Sequence, residues 1–476
     1  MVDVHITARA LSALLGSWRS DDAAYRSLAD RIRLLILDGR IPADTRLPAE
    51  RDLAERLDVS RTTVTAAYRE LRDNGFLESV RGSGSVAQLP GMRPGPVTAR
   101  RSGYLDFSKA ALPAIGAMTG AAVRAAARLP RYLDDFDYDT IGLPELRAAI
   151  ADRYIEAGLP TSPDEIMVTL GAQHAIGLIA RTHLSRGDRA LIEHPTYPHA
   201  HDALRSAGAR LVPIPVTAEG GWDAGDLEYS LDNSSPTLAY LMPDFHNPTG
   251  ASMPLETRRR VCRAAARQGT VLVIDETTRD LDIDRPDSFP PFAATDDAGA
   301  KIITVGSVGK TVWGGIRLGW IRADRGVIRK LVAARSIGDL GTPILEQLTV
   351  LELLPEMPTI LEVRRAQLKA TRDRLEELLG ERYPYWDVPH VNGGLSIWVN
   401  LGVPVSSQLA LAARTQGLLI ASGPRFGIDG AFERFIRIPI TYGVDDTELA
   451  IDALATAWQS ILRAPVPESA LLAEVV

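Results

Sequence analysis

The sequence predicts two folded parts of different class: a small winged helix-turn-helix domain, then a large α/β domain with a mostly parallel sheet that ends in a smaller α+β subdomain. Three observations carry this. The chain has 476 residues, more than one ordinary domain holds. A stretch at 89–103, with Pro90, Gly91, Pro94, Gly95 and Pro96, reads as a linker. Before it, apolar residues recur at helical spacing. After it, short apolar runs alternate with helical patterns, as βαβ units do.

Residues 1–20 carry Leu11, Leu14, Leu15 and Trp18 at helical spacing and predict a helical extension packed on its neighbour. Residues 21–88 follow as helix, loop, helix, turn, helix, hairpin. Tyr25, Leu28, Ile32, Leu35 and Ile36 form the first stripe, stopped by Gly39. Pro48 opens a short helix through Leu57. Ser60 is a natural N-cap for a third helix with Val64, Ala67, Tyr68 and Leu71 on one face, ended by Gly75. Residues 76–80 and 85–87 can pair around Gly82 and Gly84. In the large domain, 104–476, the runs 166–170, 189–193, 237–242, 271–275 and 301–305 predict strands. From about residue 345 a long helix leads into the small subdomain.

Composition narrows the classes. Apolar residues make up 45% of the chain, enough for a real core, and no run of about 18 apolar residues predicts a membrane span. The N-terminus lacks the pattern of a secretory signal. Cys262 is the only cysteine, so internal disulfides are excluded and a cytoplasmic location is expected. It falls in a helical pattern and reads as a packed, inert thiol. The net charge of −7 argues against wholesale coating of nucleic acid, although residues 82–105 contain arginines and no acidic residue. His199 and His201 are two apart and do not share a helix face, so no metal site is expected.

Two constellations carry chemistry. The order helix, turn, helix, wing is a geometry that puts its last helix in the DNA major groove. That helix begins Ser60, Arg61, Thr62, Thr63, with hydroxyls and a guanidinium where they can reach phosphates and base edges. The second constellation suits pyridoxal 5′-phosphate, which needs an amine, a carboxylate for its ring nitrogen, a phosphate cradle and a stacking wall. Only five lysines exist, Lys109, Lys301, Lys310, Lys330 and Lys369, and Lys310 follows the run 301–305. Asp275 ends the run 271–275, at the sheet edge where α/β sites lie. Gly171, Ala172 and Gln173 fall between strand and helix, where backbone N–H groups can hold a phosphate. Tyr197 lies in a loop and can stack on a ring.

The stretches Arg46-Leu47-Pro48-Ala49-Glu50-Arg51, Leu57-Asp58-Val59-Ser60-Arg61-Thr62-Thr63-Val64, Asn74-Gly75-Phe76-Leu77 and Arg81-Gly82-Ser83-Gly84 resemble the GntR-type winged helix over nearly all of 21–88. The resemblance implies DNA contacts from Arg51, Ser60, Arg61, Thr62 and Thr63, with Arg81 and Gly82 at the wing. Ala49 stands where that family usually has serine.

The ordered set of Tyr197, Asn247-Pro248-Thr249-Gly250, Asp275, Ser307-Val308-Gly309-Lys310 and Gly315-Ile316-Arg317-Leu318-Gly319 resembles the fold-type I, class I aminotransferases over about 104–465. That resemblance implies a catalytic Lys310 that carries pyridoxal 5′-phosphate covalently. It pairs Asp275 with the ring nitrogen and Asn247 with the ring hydroxyl, and stacks Tyr197 on the ring. Ser307, Arg317, Ala172 and Gln173 then hold the phosphate. Arg437 clamps the carboxylate of an amino acid, and Tyr138 reaches the phosphate of a partner subunit. Two departures stand out. No tyrosine follows Asp275, where Glu276, Thr277 and Thr278 come next, and Gly309 replaces the usual serine before the lysine.

The two modules in one chain resemble the MocR family of bacterial regulators. That resemblance implies a cytoplasmic homodimer that binds a double-stranded DNA operator and responds to pyridoxal 5′-phosphate or to an amine or amino-acid effector. The alternative is an active aminotransferase with an accessory DNA-binding module.

Overall fold

In the computed structural model the described residues are 5–88, apart from 17, 20–22, 38–39, 43–44 and 81–83, and 104–463, apart from 135, 137, 287–288 and 429. The wing positions Arg81 and Gly82, the helix stop Gly39 and the linker 89–103 lie outside them.

The N-terminal module is α1 (Ala8–Leu15), α2 (Ala24–Leu37), α3 (Glu50–Leu57), α4 (Arg61–Asp73) and a hairpin of β1 (Leu77–Val80) with β2 (Gly84–Ala87). Its core is its own: Leu11, Leu28, Ile32, Leu53, Val64, Tyr68 and Leu71 are all buried together. The Ser60 side chain caps α4 by accepting from the Thr63 N–H at 3.1 Å. Ala49 caps α3 with no side-chain hydrogen bond, as its lack of an oxygen dictates. Helix α3 begins at Glu50, two residues beyond Pro48, and α4 ends at Asp73, with Gly75 at φ +74° completing the turn.

Beyond the linker, the main elements of the large domain are β3 (Leu105–Asp106), α5 (Met118–Arg128), α6 (Pro144–Glu156), β4 (Ile166–Thr169), α7 (Ala172–His183), β5 (Arg189–His194), α8 (Pro198–Ser206), β6 (Arg210–Thr217), β7 (Gly221–Trp222), α9 (Ala224–Ser234), β8 (Leu238–Leu241), α10 (Leu255–Gln268), β9 (Val271–Asp275), β10 (Lys301–Ser307), β11 (Gly319–Arg322), α11 (Arg325–Arg335), α12 (Ile344–Leu353), α13 (Met357–Arg382), β12 (Ser396–Asn400), α14 (Ser406–Thr415), β13 (Leu418–Leu419), β14 (Ala421–Ser422), β15 (Phe435–Pro439) and α15 (Val444–Arg463).

Eight strands form the main sheet in the order β4-β11-β10-β9-β8-β5-β6-β7. Strands β6, β5, β8, β9 and β10 run parallel, while β11 is antiparallel to both β10 and β4. Helices cover both faces, so β4 and β8 are buried at every position and read as continuous apolar runs rather than alternating ones. One core packs α7 and α8 on the sheet; another lies under α9 and α10 and contains the buried Cys262. Burial pushes that thiol up to about 12, which keeps it inert at neutral pH.

The small subdomain packs α13, α14 and α15 on the sheet β12-β15-β14. Strand β3, more than 300 residues upstream, pairs with β13, and Phe107 and Leu112 enter this same core. The chain leaving the linker is therefore built into the C-terminal subdomain. Helix α14 also touches α2 of the N-terminal module.

Candidate functional site

A cavity of about 390 Å³ opens at the C-terminal ends of the parallel strands, between the large sheet and the small subdomain. Its walls include Ala172, Gln173, Tyr197, Asn247, Asp275, Ser307, Lys310, Arg317 and Arg437. Residues spread over 265 positions of sequence thus converge because strand ends and helix starts meet at one edge.

Lys310 sits just after β10, and its Nζ donates to the Ala110 carbonyl at 2.9 Å. Burial lowers the ammonium to about 8; the nearby Arg437 and Arg317 guanidinium groups push the same way, and Asp275 opposes them. Asp275 is buried at the end of β9. Its Oδ1 accepts from the Thr277 N–H at 2.9 Å and its Oδ2 from the Tyr240 hydroxyl at 2.6 Å. The Asn247 Oδ1 is buried without a hydrogen-bond partner, in a loop joined by a cis Asn247–Pro248 bond.

The cradle forms where β4 turns into α7. Gly171 caps the helix at φ +85°, leaving the N–H groups of Ala172 and Gln173 at its N-terminus. Arg317, itself left-handed at φ 52°, lies over Gly171 and donates to the Leu170 carbonyl at 3.2 Å. A Cβ on Gly319 would fall 2.9 Å from the Ala172 nitrogen, so only glycine lets β11 approach the cradle. The Ser307 hydroxyl donates to the Leu318 carbonyl at 2.8 Å and accepts from the Gly309 N–H.

Across the cavity, Arg437 projects from β15. Burial lowers its guanidinium to about 10. It donates to the Ser108 carbonyl, lies 5.0 Å from the centre of the Phe426 ring, and keeps a buried Nε with no hydrogen-bond partner. Burial raises the Tyr197 phenol to about 12, so it stays neutral.

Tyr138 is not in this cavity; its side chain is 73% exposed on the protein surface. The Thr278 hydroxyl is taken up by the Asp244 carbonyl at 2.7 Å, and Thr277 lines the cavity. Three contributors were missed in the sequence. His199 and the segment 108–111 line the cavity but carry no motif. Tyr240 backs Asp275, and its signal was legible: a hydroxyl inside an all-apolar strand demands a buried partner.

On the N-terminal module, Arg51, Ser60, Arg61 and Thr62 are exposed, Thr63 is partly so, and all cluster at the starts of α3 and α4. Arg46, Arg51, Arg61 and Arg72 line one surface groove around Glu50. Glu50 is itself tied to Thr65 at 2.6 Å and to Arg72 at 3.8 Å.

Comparison with known proteins agrees with this layout. Residues 131–454 match the model for aminotransferase class I and II, and residues 24–86 match that for bacterial regulatory proteins of the gntR family. The chain is 34% identical over 334 residues to the probable rhizopine catabolism regulatory protein MocR of Rhizobium meliloti, covering 63% of this chain and 66% of that one. It is 28% identical to an uncharacterized HTH-type transcriptional regulator, YisV, of Bacillus subtilis, over 95% of this chain and 99% of that one. Among solved structures, LysN, the alpha-aminoadipate aminotransferase of Thermus thermophilus complexed with N-(5′-phosphopyridoxyl)-L-leucine, superposes with TM-score 0.69 and 28% identity, over 76% of this chain and 93% of that one. The chain belongs to the class I and II aminotransferase family, and the gntR-type module ahead of that domain gives it the two-part layout of the MocR-type transcriptional regulators.

Proposed function

We propose that this chain is a DNA-binding transcriptional regulator whose aminotransferase-like domain binds pyridoxal 5′-phosphate and reads an amine or amino acid through it. The observation that carries the reading is the convergence of Lys310, Asp275, Asn247 and Arg437 on one cavity, in a chain that also exposes the capped start of α4. When bound, the cofactor supplies an aldehyde that reacts with amines and a ring that withdraws electrons.

The residues present fit that group. Lys310 is the covalent anchor, with an ammonium already lowered toward the neutral, nucleophilic form. Asp275 holds the proton on the ring nitrogen. Asn247, whose buried Oδ1 has no hydrogen-bond partner, takes the ring hydroxyl. Tyr197 stacks on the ring. Ala172, Gln173, Ser307 and Arg317 surround the phosphate. Arg437 takes an effector carboxylate in exchange for the Ser108 carbonyl, a task suited to a guanidinium.

In the N-terminal module, residues 21–88, the start of α4 enters the DNA major groove. Arg51, Ser60, Arg61, Thr62 and Thr63 contact DNA, with Arg81 and Gly82 on the wing. The protein acts in the cytoplasm as a homodimer, with the exposed Tyr138 reaching the partner's cofactor phosphate and the linker 89–103 joining reader to sensor.

A visible spectrum tests the cofactor reading. Purified protein should be yellow, and borohydride should fix the cofactor to Lys310. Lys310→Ala should lose covalent attachment, and a reducible adduct at another lysine would overturn the assignment. Adding amino acids and amines one at a time, with operator binding followed in parallel, tests the sensor reading.

A further inference from the structure

We propose that Tyr240, which does not line the cavity, is the positioning residue that aims Asp275 at the cofactor's ring nitrogen; this rests on the pyridoxal 5′-phosphate reading above. Tyr240 lies in β8, buried at all four of its positions, one strand away from Asp275. Its hydroxyl donates to the Asp275 Oδ2 at 2.6 Å, a length usual for a hydroxyl donating to a carboxylate. Burial, then the charge of Asp275, hold the phenol well above its ordinary range, so it is a donor at neutral pH.

The need for a second donor follows from rotation. An aspartate's terminal torsion is broad, and one hydrogen bond leaves the carboxylate free to swing about its terminal bond. The Thr277 N–H fixes Oδ1 at 2.9 Å and Tyr240 fixes Oδ2, so both oxygens are pinned before any ligand arrives. Asp275, held in this way, lines the cavity. Tyr240 is shut behind that wall, in the core formed with Met242, Val273 and Val305. It therefore acts through Asp275 and not by touching the ligand.

The test is a double-mutant cycle on the full chain with pyridoxal 5′-phosphate as the ligand. Tyr240→Phe removes one hydroxyl and keeps the ring. It is expected to weaken cofactor binding about 10-fold, as loss of a hydrogen bond to a charged group does, and to reduce the visible circular dichroism per bound cofactor, which reports ring orientation. In an Asp275→Ala background the same substitution should change affinity less than about 2-fold, because no side-chain acceptor remains for the hydroxyl. Equal losses in both backgrounds mean a packing role and overturn the proposal, as does a Tyr240→Phe protein with unchanged affinity and unchanged circular dichroism. If Tyr240→Phe does not fold alone, refolding it with the cofactor present supplies the same spectral comparison. A wild-type chain that binds no pyridoxal 5′-phosphate instead sinks the reading on which the proposal stands, and is recognised before any variant is made.

Discussion

Lys310 and Arg437 are both cations whose charge is disfavoured by burial, and each is held by a carbonyl of the segment 108–110. For Lys310 the consequence is measurable. On the proposed cofactor reading only the neutral amine would react with an aldehyde, so attachment would follow the deprotonated fraction. With the group lowered to about 8, that fraction rises with pH and levels off above about 8, rather than climbing to the ordinary 10.5. The initial rate of cofactor attachment to cofactor-free protein should therefore be half-maximal near pH 8. A rate that keeps rising tenfold per unit to pH 10 would contradict the burial of this amine. A second consequence belongs to the run Glu276-Thr277-Thr278. No tyrosine follows Asp275 there, so on the proposed cofactor reading a donor to the ring oxygen would be missing. Such a contact is worth about 1.5–3 kcal/mol, roughly one to two orders of magnitude in rate. Transamination across a panel of amino and keto acids should be slow. Turnover of about 10 per second would promote the aminotransferase alternative.

At the scale of elements, the start of α4 has two jobs. Ser60 satisfies the Thr63 N–H, its hydroxyl also shares a hydrogen bond with that of Thr62 at 2.7 Å, and Arg61 is exposed at the same end. Ser60→Ala should cost about 1 kcal/mol in the stability of the N-terminal module, read as an earlier unfolding transition. Ala49→Ser should act in the opposite sense, because α3 has no side-chain cap. Arg61→Ala should weaken operator binding by about 1–3 kcal/mol if its fork reads a base, with relaxed preference at one base pair. A loss equal on every DNA sequence marks a phosphate contact instead, and unchanged binding to operator and random DNA alike removes α4 from the interface. Much of this element was legible, because a cap, an amphipathic stripe and a turn are local. The starts and ends were less so: Pro48 precedes α3 without joining it, since the backbone stays extended as far as Ala49.

For the whole molecule, the N-terminal module and the large domain have cores of their own and meet where α14 touches α2, and any coupling between DNA and effector is reciprocal. If an effector lowers operator affinity by some factor, operator DNA must lower effector affinity by the same factor. Titrating one effector with and without operator checks this, and coincident curves would mean two uncoupled sites. The start of the large domain reaches the cavity: the Asp106 and Ser108 carbonyls accept from Tyr442 and Arg437, and Phe107 and Leu112 enter the C-terminal core.

What the sequence determined by itself is whatever short-range chemistry decides. The five predicted strand runs lie where β4, β5, β8, β9 and β10 form, within two residues at each end, because a buried parallel strand is an apolar run bounded by turn residues. The fold class followed from their alternation with helices. Lys310, Asp275, Asn247 and Arg437 stood out because each is a polar residue of required type at the end of such a run or in a motif. Only tertiary structure decided what long-range packing places. Nothing local says that residues 105–112 join a core built mostly from the C-terminal subdomain, that His199 faces the cavity, that Tyr138 stands on the surface, or that it is Asp275 that Tyr240 meets. Those are pairings between strands or across subdomains, and their partners are chosen by which faces must be buried together rather than by the residues beside them in the chain.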